Sequence, residues 1–258
     1  MNTPSKAIAV DLNSDMGEGF GAYRMGDDAA ILEIVTSANV ACGMHAGDPE
    51  IMAKTFALAK ARGVAVGAHP GFPDLWGFGR RVIPFTHGEI ERLVAYQVGA
   101  AQALSRYAGY PITYVKAHGA LGNLTQTDEA VAKAIARAIK AADPSLICMT
   151  FAGAVMERVA SEMGLAVRRE VFADRAYTEE GNLVHRSVPG AVLHDGDEAA
   201  ARMLRMVQAG AIETVSGKLL PVQIDTICVH SDTPGAIQMA AKVRSTLENA
   251  GIVVKSFS

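Results

Sequence analysis

Four histidines occupy the same kind of place in this chain: His45 in "ACGMHAGDP", His69 in "VAVGAH", His118 in "ITYVKAH" and His230 in "DTICVHS". Each follows a short apolar run and precedes a turn. A chain leaving a strand for a helix needs a turn, a glycine and a cap, not an imidazole. Other ionisable or polar groups share these places. Asp11, Asn13, Asp15 and Glu18 lie in "DLNSDMGEG", Asp48 follows His45, Lys116 precedes His118, Asp174 and Arg175 lie in "FADRAY", and Asp232 follows His230. Imidazoles and carboxylates held together can take and give protons near neutrality. They are also ligands for a divalent metal, for which Asp15, His45 and His69 are the candidate set. Taken singly, each has a plainer reading. Asp48 and Asp232 suit helix starts, and a lone strand-end histidine is more often a hydrogen-bonded structural residue. Yet unpaired buried polar groups cost about 1–3 kcal/mol each, so packing preference does not gather many of them at strand ends.

Two loops add to these groups. "GFPDLWGFGRR" (71–81) holds the only tryptophan, and its Arg80 and Arg81 suit a carboxylate or phosphate, or else surface ion pairs. "ADRAYTEEGNLVHRSVPGA" (173–191) reads as a hairpin insert around Glu180–Gly181, able to cover a site. His87, His185, Arg186 and His194 read as peripheral. Three signatures are absent: a G-x-x-x-x-G-K-[ST] phosphate loop ("SGKLL" lacks the first glycine), H-E-x-x-H, and G-x-S-x-G.

Positioning these groups requires parallel strands. Strand-like runs at 7–13, 37–43, 64–69, 112–118, 145–151, 166–173 and 225–231, with a last one in "IVVKSF", alternate with Ala-rich helical stretches. Thr86 and Glu89 form a capping box. Thr127 opens a helix with Asp128 and Glu129 behind it, and Asp48–Pro49 and Thr233–Pro234 are further helix starts. Gly164, Gly210 and Gly251 mark helix stops, and Ile237, Ala240, Val243 and Leu247 make one apolar stripe. Such alternation gives crossover helices. On several strands one face stays small until a polar C-terminal end: Ala65 and Gly67 before His69, Thr226 and Cys228 before His230. That pattern favours an irregular (β/α) barrel of about seven parallel strands over an open sheet, with residues 1–258 as a single domain.

The 258 residues are 50% hydrophobic, with 24 basic and 27 acidic side chains and a net charge of −3. This balance points to neither nucleic acid nor a membrane surface. Cys42, Cys148 and Cys228 are widely spaced and lie in or beside apolar runs, which fits buried thiols in a reducing compartment. With no secretory leader and no apolar run near ~20 residues, the expectation is a soluble, cytoplasmic protein.

The segments "DLNSDMGEGFG", "ANVACGMHAGDP", "GAHPGFPDLWGFGRR", "VKAHGALGN", "EVFADRAYTEEGNLVHRS" and "CVHSDTPGA" occur in that order and together resemble the LamB/YcsF family nearly end to end. The chain differs from the usual family pattern at Ser14, Ala117, Gly122 and Ser231, which flank the ionisable residues without replacing them. The resemblance implies a barrel similar to the glycoside hydrolase/deacetylase fold. It implies the A component of bacterial 5-oxoprolinase, which opens 5-oxoproline to glutamate with ATP as co-substrate and works with B and C subunits. On that reading Asp15, His45 or His69 is the base, and Lys116 and His118 stabilise oxygen charge or protonate nitrogen. Asp11 and Asn13 orient neighbours. Arg80, Arg81 and Arg175 hold the carboxylate or phosphate, with Glu18, Asp48, Asp174, His230 and Asp232 around them. A metal-dependent amide or ester hydrolase acting alone and a non-catalytic subunit that binds a small acid are the alternatives. A divalent metal and a homo-oligomer stay open.

Overall fold

The computed structural model describes residues 8–230 and 235–258. Asp232, Thr233 and Pro234, named above at a strand end and a helix start, lie outside the described residues. Six parallel strands run in chain order around a barrel: β1 (Ala9–Met16), β2 (Ser37–Ala41), β3 (Ala65–His69), β4 (Tyr114–Lys116), β5 (Ile147–Phe151) and β6 (Val167–Phe172). A short antiparallel hairpin, β7 (Ala211–Glu213) and β8 (Leu219–Pro221), stands apart. The seventh barrel strand, β9 (Thr226–Cys228), pairs with both β6 and β1 and closes the ring. The last strand, β10 (Val253–Val254), is shorter than "IVVKSF" promised and pairs only with Ala9 and Val10 at the start of β1. The barrel of seven parallel strands is the fold that the alternation predicted.

The helices are α1 (Asp28–Ile31), α2 (Pro49–Arg62), α3 (His87–Tyr107), α4 (Gly119–Leu124), α5 (Glu129–Ala142), α6 (Val155–Glu162), α7 (Gly196–Ala209) and α8 (Ala236–Asn249). The Thr86/Glu89 capping box starts α3 with both of its bonds. The cap of α5 is Asp128, not Thr127, because the Asp128 carboxylate accepts from the backbone N–H groups of Ala130 and Val131. Helices α3 and α5 pack together, as do α7 and α8. None of the helices among the described residues is long and apolar enough to cross a membrane.

Alternation along the strands divides the interior in two. Val10, Leu12, Val40, Val66, Val115, Val171 and Ile227 belong to the buried hydrophobic core. The intervening residues Asp11, Asn13, Asp15, Asn39, Tyr114, Lys116, Glu170 and Thr226 are also buried. Their side chains bond across the barrel: Tyr114 on β4 reaches β2, and Lys116 reaches β1 and β6. The barrel interior is therefore polar well below its mouth, deeper than the small-then-polar pattern implied. Gly67 is small for a specific reason: a Cβ there would lie 2.2 Å from the Tyr114 ring, which fills the space between the strands.

Candidate active site

The centre of the barrel is one connected set of charges. Lys116 Nζ lies 2.9 Å from Asp15 Oδ1 and 2.7 Å from Glu170 Oε1. It also lies 3.4 Å from Asn13 Oδ1 and 3.2 Å from Cys228 Sγ. Asn39 donates to Asp15 Oδ1 (2.8 Å) and to Asn13 Oδ1 (2.7 Å), and accepts from the Tyr114 hydroxyl at 2.7 Å. Burial works against the Lys116 ammonium, but the Asp15 and Glu170 carboxylates override it and hold its pKa well above the usual value. Burial likewise pushes Asp15 up, and the His69 and Lys116 charges override it, so its carboxyl sits well below the usual range. His69 and Lys116 together thus keep Asp15 ionised in a site that would otherwise protonate it.

Above this set lie three histidines. His69 Nε2 is 3.3 Å from Asp15 Oδ2, and its Nδ1 is 2.8 Å from the Lys116 carbonyl. His118 Nδ1 is 3.0 Å from His69 Nε2, and its Nε2 is 2.8 Å from the Phe78 carbonyl. The His45 ring stacks on His118, with centroids 3.7 Å apart and planes 4° from parallel. Burial, then repulsion from neighbouring imidazoles, holds His45 and His118 well below the usual histidine range. The 71–81 loop wraps this stack. Phe78 has φ 54°, a backbone region that non-glycine residues rarely adopt, and its carbonyl is the one His118 uses. Gly79 has φ 63°, and a Cβ on it would meet the His45 Cβ at 2.7 Å and His118 Cδ2 at 2.8 Å.

A cavity of about 350 Å³ opens over Asp15, His69, Lys116 and His118. Glu18, Arg80, Phe172, Arg175, His185, Arg186 and His230 also line it. His230 Nδ1 is 2.7 Å from Asp174 Oδ2, and its ring stacks on Phe172 at 5.4 Å. Asp174, raised by burial, is brought below its usual value by His230. Arg175 is buried under the 173–191 insert, where its guanidinium donates to the Val184 carbonyl at 2.6 Å. Burial and then Arg186 lower its pKa to about 10.

Several sequence-predicted residues lie elsewhere. His45 does not line the cavity; it is buried behind His118, because stacking on that ring fills its position. Asp48 is outside the cavity and caps α2, accepting from the backbone N–H groups of Glu50, Ile51 and Gly21. Arg81 is turned outward and pairs with Asp74, its Nε 3.0 Å from Asp74 Oδ2. Asn13 is inside the barrel, beneath the mouth, donating to Thr226. Asp11 lies deeper, where Thr36, Ser37 and Thr226 donate hydroxyls to it. Conversely, His185 and Arg186, peripheral by sequence, line the cavity. Asn39, Tyr114 and Glu170 escape the sequence reading. The available signal is spacing: Glu170 is two residues before Phe172, and Asn39 two before Ala41, on inward faces.

Burial pushes the Cys42 and Cys148 thiols up to about 12 and Cys228 well above its usual value, so none of the three is a thiolate nucleophile. Burial also raises Asp11 to about 6, against the pull of its three hydroxyl donors. Its folded pKa therefore exceeds the unfolded value of about 3.9. The stability it contributes is complete below that unfolded value and is lost as pH rises through about 6. Asp11→Asn is expected to gain stability relative to the parent over this rise, on the order of 2–3 kcal/mol. Urea midpoints measured from about pH 4 to about pH 7 check this; a difference that does not vary with pH contradicts it.

Known proteins share this architecture. The model of the LamB/YcsF family matches residues 10–258. The chain is 62% identical over 252 residues to the A component of 5-oxoprolinase from Gluconobacter oxydans (strain 621H), covering 98% of this chain and 99% of that one. It is 59% identical over 250 residues to the corresponding 5-oxoprolinase component of Azorhizobium caulinodans, covering 97% and 99%. Among solved structures, the lactam utilization protein from Thermus thermophilus matches with a TM-score of 0.91 at 46% identity, covering 97% of this chain and all (100%) of that one. The T48 deacetylase, at 15% identity and a TM-score of 0.51 over 96% of this chain and 87% of that one, shares the fold alone. With a family model that spans the barrel and all of the site residues described above, the chain belongs to the LamB/YcsF family.

Proposed function

We propose that this chain is the subunit of an ATP-dependent 5-oxoprolinase that opens the lactam of 5-oxo-L-proline to L-glutamate. The observation that carries this reading is the cavity: an ionised Asp15 with His69 at its floor and Arg80, Arg175 and Arg186 around it. That combination suits a small anionic substrate whose carbonyl carbon must meet an activated water. A volume of about 350 Å³ suits a single-ring acid. The names carried by the relatives, 5-oxoprolinase and lactam utilization protein, support the same substrate class.

A five-membered lactam is an unstrained amide and a poor electrophile. Transfer of a phosphoryl group from ATP to the lactam oxygen makes the ring carbon reactive. Water then adds to that carbon, the ring C–N bond breaks, and the nitrogen leaves as the protonated amine. The acyl phosphate so formed loses phosphate to a second water. ATP, 5-oxoproline and two waters give glutamate, ADP and phosphate, with atoms balanced. This chain has no phosphate-loop motif, so the nucleotide is handled together with partner B and C subunits.

The side chains take distinct parts. Asp15, bonded to His69, orients and deprotonates the water. Lys116 acts through Asp15: its neighbours Asp15, Glu170, Asn13 and Cys228 occupy the ammonium, so it positions and ionises rather than touching substrate. His230, fixed by Asp174, gives the proton to the departing nitrogen. Arg80, Arg175 and Arg186 hold the substrate carboxylate or the phosphoryl oxygens. Titration calorimetry of the isolated chain with 5-oxo-L-proline tests the binding half of this reading. Arg186→Gln is expected to weaken binding about tenfold, the loss of one charged hydrogen bond. No heat of binding from the folded parent, with or without ATP, contradicts the substrate.

A further inference from the structure

The two bridging nitrogens of His69 and His118 raise a question of valence. The Lys116 carbonyl takes a hydrogen from His69 Nδ1, at 2.8 Å, and the Phe78 carbonyl takes one from His118 Nε2, at 2.8 Å. Each carbonyl fixes a tautomer. Unless one of the facing nitrogens carries a proton, as the His69 charge beside Asp15 requires, His69 Nε2 and His118 Nδ1 confront each other with two lone pairs 3.0 Å apart, and Asp15 Oδ2 lies 3.3 Å from the same His69 nitrogen. Lone pairs at this spacing repel unless a cation lies between or beside them.

The arrangement is that of metal-ligating histidines, whose second nitrogen donates to a carbonyl or carboxylate and so aims the first. The spacing fits as well. Imidazole nitrogens bound at about 2.1 Å lie about 3.4 Å from each other at the tetrahedral angle and about 3.0 Å at 90°, so the observed separation is at the near end of the range for two ligands of one ion. The rings are 86° from parallel, so neither blocks the other. Donor atoms of Glu18, His45, His69 and His118 all lie within 4.8 Å of one another, and all four residues are buried. Both His45 nitrogens are buried without a hydrogen-bond partner. Its plane is parallel to and displaced from that of His118, so its in-plane lone pairs miss an ion lying in the His118 plane. His45 thus covers the pair rather than completing it.

We propose that His69 and His118, with the Glu18 carboxylate, hold one divalent transition-metal ion in the wall of the cavity. Two imidazoles and a carboxylate select a borderline ion such as Zn²⁺, Co²⁺ or Ni²⁺ over Mg²⁺ or Ca²⁺. This ligand set differs from Asp15, His45 and His69: Asp15 Oδ1 is held by Lys116 and Asn39, and the His45 ring lies stacked on His118 rather than in its plane. The assignment does not depend on the lactam reading, since metal uptake is measured without substrate.

The test uses the full chain, stripped with a chelator and titrated with Co²⁺ alone. The expected result is one equivalent bound, with visible d–d absorption. His69→Ala and His118→Asn each weaken binding by more than the ~10–100-fold typical of losing an outer hydrogen-bond partner. His87→Ala and His194→Ala, at exposed positions, leave it unchanged. A readout on the parent avoids reliance on the folding of variants. Its Co²⁺ form is expected to show two paramagnetically shifted, exchange-protected ring N–H proton resonances, from the hydrogens held by the Lys116 and Phe78 carbonyls. No uptake of Co²⁺ or Zn²⁺ by the folded parent overturns the proposal and leaves a single shared proton between the rings. Uptake that persists in both variants overturns it as well.

Discussion

Replacing Lys116 with methionine is expected to remove nearly all turnover, by roughly 10²–10⁴-fold, the range for losing a positioned base. The cause is indirect. Methionine fills much of the lysine stem's volume but removes the cation 2.9 Å from Asp15 and 2.7 Å from Glu170. Two buried carboxylates then face each other without a counter-ion, a loss that costs roughly 3–5 kcal/mol when a buried pair is broken. Asp15, no longer held ionised by Lys116, takes up a proton at higher pH. Its folded pKa in the parent is depressed, so its stabilising contribution is present above the unfolded value and lost as pH falls through the folded one. In Lys116→Met that contribution shrinks, and the stability gap from the parent narrows in acid. The distinguishing readout is the pH profile of residual activity. Its rising limb should move to higher pH in Lys116→Met; a uniform scaling at every pH would mean that Lys116 does not act through Asp15.

The second large effect is expected at Asp174. Asp174→Asn keeps the size of the side chain but replaces the carboxylate that meets His230 Nδ1 at 2.7 Å. The amide no longer enforces one tautomer, so Nε2 is less often presented correctly to the cavity. Turnover should fall roughly 10²–10⁴-fold with KM changed far less, because the loss is felt in proton transfer rather than in anion binding. Asp174→Glu should recover part of the rate. If Asp174→Asn raises KM and spares kcat, the Asp174–His230 pair belongs to substrate binding instead.

Much of this arrangement is legible in the sequence. The alternation of apolar runs with capped helices suffices for a seven-stranded parallel barrel, because parallel strands need crossovers and a barrel mouth gathers strand ends. His69, His118 and His230 meet at the mouth for that reason. Proximity in sequence to a strand end is not enough for His45, whose position is decided by face-to-face stacking on a ring 73 residues away in the chain. Nor is it enough for Asp48 and Arg81, which local partners claim first: the N–H groups of α2 for one and Asp74 for the other. Asn39, Tyr114 and Glu170 stay hidden because a polar residue in mid-strand is ordinarily solvent-facing. Only closure of the barrel turns those faces toward each other. Arg186 looks peripheral in sequence because its insert folds back over the mouth through bonds such as the Leu183 N–H to the Gln126 side-chain carbonyl, which charge patterning does not encode.

The most direct measurement is glutamate formation from 5-oxo-L-proline and ATP, made with this chain alone, with the proposed B and C partners alone, and with all three together. One glutamate per ADP is expected in the full mixture, with no turnover in either half and loss of turnover when Lys116→Met replaces the parent chain. Equal turnover by the partners without this chain, or an undiminished rate with Lys116→Met, would contradict the lactam reading. A full mixture of folded subunits that forms no glutamate would also contradict it.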